Sequence, residues 1–364
     1  MKILLLSSTN NPNNGYGSVT DNLCRFLAEK VDIELLLPKN SEKINTSYPV
    51  RYILPEYTYT LKSPKIINYF NFEYKNNPDV VHSLVEFPYM LIGARLAHTL
   101  HAKYVISTYG TYSVSHFSMW PESYFVRRAY NSARMIIVSS LYTKRLLESF
   151  KINVPIKIIH PGVNILANLK KDDLKKKYNG KTILLTVGGV KPRRGQDLVI
   201  EALYMLKKKR NDFHYLMVGS IGAWGESLKN RVSELELDEN VTFLDQVEEK
   251  DRQRYFHLCD IYIQTPRVVD EKFEGFGITY LEASACGKPI IATRSGGNED
   301  AVINGETGIM VEENDVNGVT DAINKLIDTP SLARRLGVNG LKYAKKHDWR
   351  IIGKKYLDLY KMLK

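Results

Sequence analysis

Short apolar runs, most of them followed by a segment of helical period, recur along the whole chain. They fall at Lys2–Ser7, Ile33–Leu37, Val80–Val81, Tyr104–Ser107, Met135–Val138 and Ile156–Ile159. The series starts again at Thr182–Val187, Tyr215–Val218, Val241–Leu244, Ile261–Gln264, Pro289–Ala292 and Gly308–Val311. Runs that are apolar throughout belong to strands covered on both faces, and strands that alternate with helices build parallel sheets. A chain of 364 residues is also too long for one ordinary core. The expected fold is therefore α/β, with two Rossmann-like units in series. One covers 1–164 and recovers the closing segment 346–364, whose helix from Trp349 carries Ile352, Tyr356, Leu359 and Tyr360 and is long enough to cross back. The other covers 165–345 and opens with a charged helical stretch, Lys170 to Lys177.

The loops at the strand ends carry the chemistry. EGFGITYLEASACG, Glu274 to Gly287, sets two carboxylates on either side of a Gly-Phe-Gly turn that leads into a helix starting near Ile278. Gly275 and Gly277 permit positive φ and close approach of a ligand. The helix start offers unpaired N–H groups and a positive dipole end to a phosphate. Glu282, early in that helix, can accept two hydrogen bonds from a vicinal diol such as that of ribose, with Glu274 facing the other end of the ligand. A dipole preference accounts for acidic residues here but not for the glycines between them. In the first unit, NNPNNGYGSVTDN follows the first strand and precedes a helix with Leu23, Phe26 and Leu27. Gly15 and Gly17 lack the third glycine of a dinucleotide fingerprint and offer a backbone surface to a phosphate or an acceptor.

Charge narrows the partners without choosing one. The net charge of +11 suits nucleic acid, an anionic membrane surface or phosphorylated small molecules. Three cysteines without metal-ligand spacing point to a reducing cytoplasm, and no apolar run is long enough to span a bilayer. Between Tyr48 and Pro78 the texture turns aromatic and basic, with Tyr57, Tyr59, Lys62, Lys65, Tyr69, Phe70 and Lys75. Such a mixture fits a membrane interface or a lipid-linked acceptor; a helix packing its rings into the first core is the simpler reading and the one preferred.

At EGFGITYLE the E-x7-E spacing resembles the donor-site motif of retaining glycosyltransferases of family 4, which have the two-domain GT-B fold with a cleft between the domains. The resemblance extends into ASACGKPIIATRSGGNEDAVINGETGIMV on one side, and into VTFLDQVEEKDRQRYFHLCDIYIQTP and LLTVGGVKPRRGQDLVIEAL on the other. It implies that Glu282 binds the ribose of a nucleotide-sugar and Glu274 the transferred sugar, with Gly275, Phe276, Gly277 and Ile278 shaping the backbone around sugar and phosphate. The Phe243–Val247 segment would lie against the base. In VGGVKPRRG the family has an arginine where this chain has Gly189; Arg194 fills the second basic position, and Lys191 or Arg193 supplies the missing charge. STYGTYS resembles the family's Thr-x-His-Gly segment, with Tyr109 in place of the histidine that approaches the donor sugar. His116 is the nearest histidine. Acceptor groups would lie around Asn13–Gly17 and Tyr109–Trp120, while His82 and His160 read as structural.

The reaction expected is transfer of a hexosyl group from a nucleotide-sugar, UDP ahead of GDP, to a glycan, lipid-linked or small-molecule acceptor. Retention is implied by the family, with the leaving phosphate taking the acceptor proton. No Asp-x-Asp occurs in the sequence, and Arg194 with Lys191 or Arg193 can stabilise the departing diphosphate; no metal or other cofactor is therefore expected. Two other readings use the same residues or charge. A nucleotide-sugar 2-epimerase of similar fold would need no acceptor, and a basic nucleic-acid-binding protein would rest on +11 alone, without a recognisable module. The partners expected are thus a nucleotide-sugar, a carbohydrate or lipid-linked acceptor and the cytoplasmic face of an anionic membrane, but no nucleic acid.

Overall fold

A computed structural model describes residues 1–63, 67–165, 173–178, 180–245 and 247–364. Lys65 and the first part of the 170–177 stretch lie outside the described residues. The chain divides into two units, Met1–Gly162 with Trp349–Lys364, and Val163–Asp348.

The first unit is built on a seven-stranded sheet in the order β3-β2-β1-β4-β5-β6-β7. Its strands are β1 (Lys2–Leu6), β2 (Asp32–Pro38), β3 (Val50–Leu54), β4 (Val80–Ser83), β5 (Lys103–Thr108), β6 (Met135–Val138) and β7 (Ile156–Ile158). All pairings are parallel, with Ile3 opposite both Ile33 and Val80. Helices α1 (Gly15–Ala28), α2 (Ile67–Phe70), α3 (Tyr89–Thr99), α4 (Glu122–Ser132) and α5 (Leu141–Ser149) accompany it. Apolar Ile3, Leu4, Leu5 and Leu6 are all buried, as a strand in the middle of such a sheet requires. Among its described residues the aromatic-basic stretch holds no long helix. It contains β3, an edge strand, and the four-residue α2; Tyr69 and Tyr74 face the core, while Tyr57, Tyr59 and Phe70 are exposed.

In the second unit six parallel strands run in the order β10-β9-β8-β11-β12-β13. They are β8 (Thr182–Val187), β9 (Phe213–Val218), β10 (Val241–Leu244), β11 (Ile261–Gln264), β12 (Ile290–Thr293) and β13 (Gly308–Val311). The helices are α6 (Gln196–Lys207), α7 (Gly222–Glu234), α8 (Glu249–Leu258), α9 (Ile278–Ala285), α10 (Asn298–Ala301), α11 (Val316–Asp328) and α12 (Pro330–Lys345). Asp173–Tyr178 forms a 3-10 turn rather than an α-helix. Strand order reverses between β1 and β4 in the first unit and between β8 and β11 in the second. Loops leaving the carboxyl ends of the strands at such a reversal diverge and leave a crevice, where α/β sheets bind ligands.

The last helix, α13 (Trp349–Leu363), belongs to the first unit. It buries Ile352, Tyr356, Leu357, Leu359 and Tyr360, each worth roughly 1.5–3 kcal/mol of transfer free energy. Gly353 lets it close on α1, because a Cβ there would lie 2.4 Å from the Phe26 ring. Its deepest polar contact is with His82 of β4, whose Nδ1 is 2.6 Å from the Tyr360 hydroxyl and whose Nε2 is 2.8 Å from Ser107 Oγ. Burial pushes the His82 imidazole down to about 3, so at neutral pH it is uncharged and structural.

Candidate active site

In the second unit the loops after β8, β9, β11 and β12 are knitted around the strand reversal. Thr265, just past β11, donates its hydroxyl to Gly195 O at 2.7 Å, and Arg267 N–H donates to Arg193 O at 3.0 Å. Val190 N–H donates to Ser220 O at 2.8 Å, and Gly297 N–H, after β12, to Glu274 O at 2.8 Å. These backbone ties fix the three positions that matter chemically. Glu274 Oε2 receives Arg194 Nη1 at 3.1 Å and Arg193 Nη1 at 3.4 Å, all three side chains being largely buried. Gly277, at φ +83°, turns the chain from this cluster into α9, a conformation that side chains rarely adopt. Gly275 and the Phe276 side chain are buried and Ile278 is half-buried, so Phe276 offers only its backbone to a ligand.

Lys191 differs from the two arginines. Its side chain is exposed, and it lies at the foot of the 3-10 turn Pro192–Arg194, accepting Arg194 N–H through its carbonyl at 2.8 Å. The Lys191 Cε is 3.8 Å from the point a Cβ on Gly189 would occupy, and Ser220 Oγ is 2.8 Å from that point. Ser220 and Lys191 thus fill the room in which a side chain at 189 would start. Two guanidinium groups against the single carboxylate of Glu274 leave a net +1 there, a charge that a diphosphate complements, with Lys191 exposed in the same loop.

Glu282 lies in the second turn of α9 with its carboxylate mostly buried, accepting Arg252 Nη2 of α8 at 2.9 Å. Sequence reasoning missed Arg252. It stands in a run of charged residues, EKDRQRYFH, where nothing separates it from Arg254, which pairs at the surface with Asp251. Phe243 and Val247 are half-buried, and the Lys229 ammonium lies 5.9 Å from the Phe243 ring centroid. Beneath α9, Gln264 Oε1 accepts the hydroxyls of Tyr262 and Thr279 at 2.8 and 3.0 Å, joining the helix to β11.

The first unit has its own constellation, around a residue that the sequence did not single out. Glu86, one turn past β4, is 2% exposed; its Oε1 accepts Tyr109 N–H at 2.7 Å and the Ser113 hydroxyl at 3.1 Å. Burial pushes the Glu86 carboxyl up to about 7 against these hydrogen bonds. Asn14 caps α1 by accepting from Tyr16 N–H at 2.9 Å, which places the Tyr16 ring edge-on to Tyr109 at 5.7 Å. Gly15 faces open space, whereas Gly17 packs so close to Asn11 that a Cβ would lie 2.0 Å from its carbonyl oxygen; only Gly15 remains as an approachable surface. His116 is corrected to a structural residue. It is 1% exposed, stacks on Phe87 at 4.2 Å, and has Nε2 3.1 Å from Tyr59 O and Nδ1 3.1 Å from Ser115 Oγ. Burial lowers its affinity for a proton.

Comparison with known proteins places the chain in a family. The model described as "Glycosyltransferase Family 4" matches residues 13–165, and that described as "Glycosyl transferases group 1" matches 169–343. A GDP-mannose-dependent alpha-(1-6)-phosphatidylinositol monomannoside mannosyltransferase of Mycolicibacterium smegmatis is 29% identical over 86% of this chain and 82% of that protein. An uncharacterised glycosyltransferase of Methanocaldococcus jannaschii is 31% identical over 74% of this chain and 72% of its own length. The crystal structure of Anabaena HepE in complex with UDP superposes over all of both chains with a TM-score of 0.79 at 18% identity, a likeness of fold. With both halves matched and the two-domain α/β architecture of the GT-B type in place, this chain belongs to the family 4 glycosyltransferases, and it is a glycosyltransferase.

Proposed function

We propose that the second unit binds a nucleotide-sugar and that the enzyme transfers its hexosyl group with retention, without a metal. The observation that carries this is the pairing of Arg193 and Arg194 with Glu274 at the strand reversal, two guanidinium groups against one carboxylate. An incoming diphosphate competes with Glu274 for Arg194, and the freed Glu274 turns to the sugar hydroxyls. As the anomeric bond breaks, charge gathers on the leaving phosphate, and preorganised cations with the α9 N-terminus stabilise it, each such contact typically worth tenfold to thousandfold in rate. Glu282, already oriented by Arg252, takes the ribose diol, and the Phe243–Val247 segment the base. The leaving phosphate accepts the acceptor proton on the same face. Tyr109, in place of a histidine, holds a desolvated hydroxyl well above its ordinary pKa, enclosed beside Ser107 and Tyr356, and is not a base.

The expectation that UDP precedes GDP gives way here to GDP-mannose as first donor, on the activity named for the relative that spans most of the chain. The acceptor in this reading is a hydroxylated ring borne by a lipid or a glycan, presented at an anionic membrane. Exposed rings of the first unit favour that setting. Phe70 meets Phe125 at 5.7 Å and Phe125 meets Tyr124 at 5.3 Å, with Trp120, 75% exposed, on the segment leading into α4. Lys62 and Arg128 are exposed beside them, while Glu122 is turned inward onto Leu61 N–H at 2.8 Å. Aromatic rings with flanking cations suit the headgroup region.

A thermal-shift panel of GDP-mannose, UDP-glucose and UDP tests the donor site, stabilisation by a ligand at a hundred times its Kd being about 2.7 kcal/mol. GDP-mannose is expected to stabilise the protein, with the shift retained in EDTA and lost in Glu282→Ala. A shift indifferent to that substitution refutes the assignment, and turnover abolished by EDTA and restored by magnesium refutes the metal-free reading.

A further inference from the structure

In the second unit Arg267 is held from three sides. It follows Thr265 and Pro266 at the exit of β11 and precedes a tight turn in which Val269 and Lys272 exchange backbone hydrogen bonds at 3.1 and 2.8 Å. Its side chain is only 18% exposed. Nη2 donates to Oδ2 of Asp197, in the first turn of α6, at 2.5 Å, and Nη1 donates to Asn314 Oδ1, past β13, at 3.3 Å. Its own N–H donates to Arg193 O at 3.0 Å. One residue thus holds the 3-10 turn Pro192–Arg194 by its backbone, and the helix that follows that turn by its side chain.

The turn needs holding because its own chemistry works against it. It carries two like charges, Arg193 and Arg194, against the one carboxylate of Glu274, and neighbouring cations repel. It is also a 3-10 turn of three residues, whose hydrogen bonds are poorer than those of an α-helix. Arg194 Nη1 lies across Gly188, 3.6 Å from the point a Cβ there would occupy, so a small rotation of the turn would carry the guanidinium away from Glu274. Asp197 depends on Arg267 in return. Its Oδ1 is buried without a hydrogen bond, and among the described residues Arg267 is the cation that compensates its charge. Removing one member of such a pair leaves the other largely buried and uncompensated, and the local backbone has to move to relieve it.

We propose that Arg267 is a positioning residue for the transfer reaction, fixing the Arg193–Arg194 turn through Asp197 and the Arg193 carbonyl where the leaving diphosphate is received. That a diphosphate is what the turn receives rests on the nucleotide-sugar reading; the hold on the turn does not. Among the described residues no hydrogen bond or ion pair joins Arg267 to Glu274, so it acts through the turn and not on the ligand.

Two measurements on the full chain separate position from consequence. Hydrogen–deuterium exchange reads the turn. Peptides covering 188–195 are expected to exchange about tenfold faster in Arg267→Met and in Asp197→Asn, no faster in the double variant than in either single one, and closer to the original rate in Arg267→Lys, which keeps a cation opposite Asp197. Calorimetric titration reads the consequence as the ratio of GDP to GMP affinity, with UDP and UMP run alongside. That ratio isolates the second phosphate, whereas a general loosening of the fold weakens both nucleotides alike. It should fall about tenfold in Arg267→Met and recover in part in Arg267→Lys. The role of Arg267 is overturned by an unchanged ratio, by exchange at 188–195 equal to the original, or by losses in the two single variants that add up in the double one. An unsubstituted protein that binds no nucleoside diphosphate would refute the nucleotide-sugar reading and the role in transfer together. Binding that is present and indifferent to these variants removes Arg267 alone.

Discussion

In the proposed reading Lys191 supplies, from two residues away, the charge of the arginine absent at Gly189. With Gly189 unable to reach a ligand, charge at this edge of the β8 loop must come from a side chain whose root is elsewhere, and Lys191 passes within van der Waals distance of the vacated position. A flexible ammonium is a point charge without the fork of a guanidinium, so its contribution should appear as the leaving group develops charge. Lys191→Met is expected to lower kcat about tenfold to hundredfold with a smaller change in donor KM; steady-state kinetics in which only KM moves would assign it to ground-state binding. The individual letters of EGFGITYLE and VGGVKPRRG were legible because both ends of each motif are close in sequence. Arg252 and Glu86 were not, since their partners lie 30 and 23 residues away and only the fold brings them together.

Among the elements, β3 was concealed and α13 was not. Val50–Leu54 pairs on one side only and stays half-exposed over most of its length, so it lacks the uniform apolarity that announced the central strands, and its aromatic surroundings imitate a helix face. Helix α13 advertises itself by a 3.6-residue period of apolar side chains. Its attachment adds a polar lock that periodicity does not reveal, the Tyr360–His82–Ser107 chain. Tyr360→Phe leaves a buried imidazole nitrogen without its partner and should cost about 1–3 kcal/mol in urea unfolding at pH 7.5. The pH dependence follows from the lowered His82 value. Its neutral form contributes fully above the ordinary 6.5, and that contribution is lost as pH falls from 6.5 through about 3. Urea midpoints that rise on acidification through this window would contradict it.

For the whole molecule, the excess of 51 lysines and arginines over 40 acidic residues is a long-range field more than a set of contacts. No helix among the described residues is long and apolar enough to cross a membrane. Co-sedimentation with vesicles containing anionic lipid is expected to exceed that with neutral vesicles, to weaken as salt rises, and to fall several-fold in Trp120→Ser, Phe70→Ser. Binding indifferent to both salt and these substitutions would dissociate the exposed rings of the first unit from lipid.

The discontinuity of the first unit has a temporal meaning. Residues 163–348 form a contiguous unit, whereas the unit that starts at Met1 is closed by a helix that begins at Trp349. During synthesis from the amino terminus, at roughly 5–20 residues per second, the sheet of β1 to β7 must wait uncovered at α1 and His82 while nearly two hundred later residues emerge. The unit made second can therefore be the first to reach its finished state, and the nascent chain depends most on chaperones over the part that it began with.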